Sequence, residues 1–148
     1  MSEEALFEMV SESIVYAKEV LEKGEQPAPF AMLLDDSGDI RSISCEAKSG
    51  SFEACYESLI SRLRNIVKED GRVAAVAIVT CVAIPEHCQT DAQSGIRVHL
   101  EERHKAGNKI GARFLYVPYH SYQDATTQKV TLQLQAPIPV SFPPEIFI

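Results

Sequence analysis

Leu6, Val10, Ile14, Ala17 and Leu21 recur at steps of three or four, and Glu8, Glu12, Lys18, Glu19 and Glu22 occupy the turns between them. That spacing predicts an amphipathic helix over 3–23 with one apolar stripe. Ser2 can cap it, the acids of its first turn suit the helix dipole, and Gly24 stops it. Pro27 and Pro29 then forbid continuation, because proline has no amide hydrogen and restricts the residue before it. A second stripe, Phe52, Cys55, Leu59, Leu63, Ile66 and Val67, predicts a helix from Phe52 to Glu69, capped by Ser51 and ended by Gly71.

The remaining pattern is that of strands. Phe30–Leu34 is a short apolar run, 35–39 a turn cluster, and Ile40–Cys45 alternates, which together predict a β-hairpin. Val73–Ile84 is an unbroken apolar run with valines and isoleucines, as expected of a central strand covered on both faces. A long polar loop, 85–95, carries His87, Cys88 and Asp91. Ile96–His104 alternates again. Gly107-Asn108 suggests a two-residue turn into a return strand, 110–119. That turn would pair Val98 with Val117, Leu100 with Leu115 and Glu102 with Arg113, and would set His99 beside Tyr116. Val130, Leu132 and Leu134 alternate with polar residues in a last strand. The tail, 136–148, holds four prolines among apolar residues. It is expected to run extended over the domain or over a partner subunit.

This order, α-β-β-α-β-β-β-β, predicts a single α+β domain over 1–148. It would be one mainly antiparallel sheet of five to six strands with both amphipathic helices on one face. Its α-β-β-α-β-β-β part is similar to roadblock, longin and profilin-like domains, a likeness of fold that implies no activity. Pro29-Phe30-Ala31 leading into 34–40, the strand 75–78, and 96–103 followed by 116–119 resemble a group of small bacterial α+β proteins of unknown function. The resemblance spans roughly residues 20 to 135 and implies a fold while pointing to no catalytic residues.

Composition narrows the partners. The chain has 148 residues, 45% hydrophobic and 24% charged, enough for a core of its own. Net charge is −7, and it is uneven: residues 1–74 hold 15 acids and 8 bases, residues 75–148 hold 6 of each. Nucleic acid is therefore not expected as a partner, since that affinity rests on neutralising phosphates. The local basic stretch of Arg97, Arg103, Lys105, Lys109 and Arg113 suits a small anion or an acidic helix of a second subunit. The longest apolar run is too short to span a bilayer, and the acidic N-terminus is unlike a secretory signal, so no membrane association and a cytoplasmic location are expected. Cys45, Cys55, Cys81 and Cys88 show no C-x-x-C spacing and are expected to be reduced thiols, with Cys55 and Cys81 acting as small buried hydrophobes.

The best cluster for chemistry is the polar side of the strand that begins at Ile96. Arg97, His99, Glu101 and Arg103 share a face with Tyr116, and His120 follows at the same parity. Residues two apart on a strand lie about 7 Å apart, so His99 and Glu101 could share a ligand or a proton. Together with His120 they would hold a metal only if the last strands converged, and no H-x-H or H-E-x-x-H occurs. No phosphate-binding glycine motif and no calcium loop is present, and Cys88 beside His87 lacks the geometry of a nucleophile and base. No cofactor is expected. Two readings remain: a non-enzymatic interaction module, a homodimer or the binder of another protein, and a small-molecule binder or enzyme working through the His99 face.

Overall fold

The computed structural model describes residues 2–45 and 51–148. In chain order its elements are α1 (Glu3–Glu22), β1 (Phe30–Asp35), β2 (Ile40–Ser44), α2 (Phe52–Glu69), β3 (Val73–Ala83), β4 (Ser94–Glu102), β5 (Ala112–Gln123), β6 (Val130–Leu134) and β7 (Ile138–Phe142). Both serine caps form: the Ser2 and Ser51 side chains accept from the N–H of Ala5 and Ala54. Gly24 ends α1 at φ +82°, a conformation that costs other residues more.

The strands form one α+β sheet in the order β2-β1-β3-β4-β5-β6, with β7 also pairing β5, and all six pairings are antiparallel. β3 runs between β1 and β4 and carries buried side chains on both faces, as its unbroken apolar run predicts. The seventh strand comes from the tail, which pairs Ile138–Phe142 with the first half of β5. β6 takes the second half, Tyr119–Gln123. Pro118, with no N–H to give a ladder, stands next to the place where the outer neighbour changes.

The helices do not share a face. Phe30, Leu34, Ala75, Ala77 and Val79 pack under α1, whereas Ala31, Leu33, Val76 and Ile78 pack under α2. A central sheet whose strands are apolar on both sides needs a cover on both, and one layer of two helices would have left half of β3 in water. α1 also sits rotated from its expected stripe. Met9, Ser13 and Ala17 are its buried positions, so small side chains meet the alanines of β3, while Leu6, Val10 and Ile14 are only partly covered.

The β4–β5 register differs from the sequence expectation by two residues. Val98 faces Leu115, Leu100 faces Arg113, and His99 faces Phe114 rather than Tyr116. The connection is longer than a two-residue turn, because Arg103–Lys105 forms a 3-10 turn first. A shift of two keeps every side chain on its expected face. Glu102 and Arg113 still meet, now diagonally at 3.4 Å.

The expectation of four reduced thiols is corrected as well. Cys45, at the end of β2, is bonded to Cys55 in the first turns of α2, with Cα atoms 5.7 Å apart. The hairpin and the helix bring together two residues separated by 10 in the chain, at a distance a disulfide can span. Cys81 and Cys88 are free.

Candidate functional site

β4 alternates strictly. Ile96, Val98 and Leu100 enter the core under α1, so Arg97, His99 and Glu101 turn to the α2 side. This is the face the sequence singles out, but its chemistry points inward. His99 is 0% exposed and Glu101 1% exposed. His99 Nε2 lies 2.5 Å from Glu101 Oε2, and its Nδ1 lies 2.9 Å from the Tyr56 hydroxyl. An ionised carboxylate only accepts, so Nε2 donates to Glu101, and the Tyr56 hydroxyl bonds the other ring nitrogen. Phe114 and Phe142 flank the imidazole edge to face.

The Glu101 carboxylate is then completed by the tail. Its Oε2 accepts the N–H of Glu145 at 2.9 Å, and its Oε1 accepts those of Ile146 at 2.9 Å and Phe147 at 3.1 Å. Burial pushes the Glu101 carboxyl up, but the bond from His99 and the backbone donors of Glu145 and Ile146 outweigh it and hold the group below the usual carboxylate range. Ile146 and Phe147 bury themselves among the α2 residues as they arrive. His99 and Glu101 thus form an internal anchor for the C-terminal tail.

The other sequence candidates scatter. Arg103 closes the end of α2: its Nε donates to Val73 O at 2.7 Å, and its Nη2 to Val67 O at 2.8 Å and Asp70 O at 3.0 Å. Its guanidinium also lies over the Phe147 ring, 5.0 Å from the centroid. Tyr116 is buried at 7% exposure against Phe114. His120 stands away from this cluster, paired with Asp91 at 3.2 Å. Gln135 and His120 together hold the Asp91 carboxyl below its ordinary range. Arg97 borders a small pocket beside Tyr56, and Arg103 reaches the edge of a second concavity on the α1 side. Among the described residues no group of three or more His, Cys, Asp or Glu side chains is placed to hold a metal ion.

The sequence reading missed a large concavity that lies on the opposite face. A groove of ≈ 1440 Å³ runs between α1 and the ends of β4, β5 and β7. Its apolar wall is Leu6, Phe7, Val10 and Ile14 from α1, facing Leu100, Leu115, Pro137 and Pro139. Arg72, Arg103, His104, Lys105 and Arg113 edge it, interspersed with Glu3, Asp36 and Glu102. Phe7 stands at its lip, 74% exposed. The signal for this groove is present in the sequence only as an α1 stripe wider than the sheet beneath it can cover. Among the described residues no helix is long and apolar enough to cross a membrane. No family model, curated protein or solved structure matches this chain.

Proposed function

We propose that the chain is a non-enzymatic interaction module that forms a homodimer through the groove beside α1. The observation that carries this reading is the uncovered part of the α1 stripe: Leu6, Val10 and Ile14 line an open groove with Leu115, and Phe7 projects from its lip. A contiguous apolar groove rimmed by polar side chains suits a protein interface. Knob and hole lie side by side on one surface, which suits a two-fold axis: each Phe7 enters the partner's groove, and the same patch serves both copies. Charge agrees. α1 carries six acids and one lysine, and the groove's edge carries Arg72, which also pairs Asp70, and Lys105 and Arg113, which share the single carboxylate of Glu102. The interior position of His99 and Glu101 weighs against the competing reading of an enzyme or binder at that face, since no substrate reaches them past Tyr56 and the tail. The likeness to roadblock and profilin-like domains stays an expectation about element order and lends no activity.

The test is the mass in solution. Light scattering at micromolar concentration is expected to give a dimer, and Phe7→Ser, which alters an exposed side chain, is expected to give a folded monomer. A monomeric wild-type chain overturns the proposal, as does a dimer indifferent to Phe7→Ser and to Leu115→Ser.

A further inference from the structure

Arg97 is a half-buried cation. Its guanidinium carbon lies 4.4 Å from the Phe114 ring centroid and 5.2 Å from that of Tyr56, and no ion pair neutralises it among the described residues. Thr80 faces it directly across β3 and β4, so the two side chains stand next to each other on the α2 side. Thr80 Oγ1 and Arg97 Nε are both buried and make no hydrogen bond among the described residues. Stacking between two rings offsets part of the cost of drawing a guanidinium out of water, but it supplies no acceptor for the N–H groups. Such a group is unusual, since buried donors are nearly always paired.

These residues border an open pocket of ≈ 220 Å³ that Pro27, Pro29, Phe52 and Val82 also line. Most of the cation's neighbours there are thus apolar. Glu53 stands on the lining too. One cation with a planar fork of donors suits one carboxylate, and an acid on the lining disfavours a second negative charge on the guest. Tyr56 is held in place from behind, because its hydroxyl is committed to His99 and through it to Glu101. The cation's stacking surface is therefore fixed before any guest arrives, which lowers the ordering cost of binding.

We infer that the Arg97–Thr80 pocket binds a small monocarboxylate with an apolar body, its carboxylate on Arg97 and its hydrocarbon against Pro27, Pro29 and Phe52. The site is independent of the groove beside α1, which opens on the other face of the sheet. A cation within a largely apolar lining distinguishes this guest from inorganic phosphate, which would gain nothing from the prolines.

The experiment is a titration of the ¹⁵N-labelled full chain with benzoate, followed by amide shifts, with benzamide and inorganic phosphate as comparison probes. Saturable shifts confined to 27–29, 52–56, 80–82 and 97 are expected with benzoate. Benzamide, the uncharged isostere, and phosphate are each expected to bind about tenfold more weakly or worse, a difference of about 1.4 kcal/mol. Arg97→Gln is expected to abolish the shifts. Thr80→Val, which keeps the volume and removes only the hydroxyl, is expected to weaken them several-fold and guards against misfolding of the arginine variant. Benzoate shifts that are absent, that centre on the α1 groove, or that benzamide reproduces with equal affinity overturn the inference. So does binding unaffected in a folded Thr80→Val and Arg97→Lys pair.

Discussion

Glu101 accepts the backbone N–H of Ile146 at 2.9 Å, across a separation of 45 residues. This one carboxylate joins the middle of the sheet to the end of the chain, and it does so from a buried position where it is also bonded to His99. Removing the charge leaves the three tail donors of Glu145, Ile146 and Phe147 competing for a weaker acceptor. Glu101→Gln also places an amide donor where His99 or Glu145 donates. Loss of a buried, multiply bonded charge costs about 3 kcal/mol. The expected outcome is a fall of roughly 10 °C in Tm, together with early hydrogen exchange at 145–147. Unchanged protection of those three amides would rule the anchor out.

The same carboxylate fixes a pH dependence. Its folded pKa is depressed, so the unfolded chain takes up the proton first as acid is added. Its stabilisation is then complete above the unfolded value, about pH 4.3, and is lost as pH falls through the folded value. Acid unfolding curves are expected to show the tail amides of 145–147 opening before those of β3. In Glu101→Gln this early step should vanish. Simultaneous loss of tail and core protection in the wild type would show that Glu101 does not set the order.

Reduction of the Cys45–Cys55 bond gives a separate expectation. Opening a loop between residues 10 apart restores conformational freedom to the unfolded chain, worth about 2.5 kcal/mol by loop-closure entropy. Denaturant midpoints measured with and without a thiol reductant should differ accordingly. Cys45→Ser should match the reduced wild type and be insensitive to reductant. Cys81 is no substitute partner: burial pushes its thiol up to about 11, which keeps it protonated and slow to exchange.

Local rules made the elements legible. The caps at Ser2 and Ser51, the span Phe52–Glu69 and the central position of β3 follow from spacing and side-chain chemistry close in the chain. The face of His99 and Glu101 was legible for the same reason, since parity along a strand survives a register shift of two. What surrounds that face was not. Tyr56 reaches His99 from 43 residues away, and the tail donors reach Glu101 from 44 to 46 residues away. No periodicity encodes such meetings. The sidedness of the helices depended on a balance between two layers: Leu33, Val76 and Ile78 needed a cover as much as Leu34, Ala77 and Val79 did. Polar alternation on β4 reads as a wet face from sequence, yet the arrival of α2 and the tail makes it an interior.

Arg103 is expected to matter for stability in proportion to the carbonyls it satisfies. The last carbonyls of a helix have no partners of their own, and here one guanidinium takes up Val67 O and Asp70 O, with Val73 O at the start of β3. Arg103→Met keeps most of the stem but removes the guanidinium, and with it the stack on Phe147 and the side-chain donors to three carbonyls, of which Asp70 O retains the N–H of Val73. A loss of about 2–3 kcal/mol in chemical denaturation is expected. Arg103→Lys should recover only part of it, since a single ammonium cannot reproduce the planar fork. Equal stability of the lysine variant and the wild type would show that charge alone suffices.

Gly95 tests the β4–β5 packing where Pro118 interrupts the ladder. It faces Pro118 across the pair, and a Cβ there would stand 2.8 Å from Val117 O and collide with Ile84 Cδ1. The isoleucine can rotate away, but the carbonyl belongs to a strand held by neighbours on both sides and cannot. Gly95→Ala is therefore expected to cost about 1–3 kcal/mol by overpacking. Ile84→Ala in the same chain should restore little, because it removes the movable obstacle and leaves the fixed one. Full rescue by Ile84→Ala would identify the side chain, and not the Val117 carbonyl, as the reason this position tolerates only glycine.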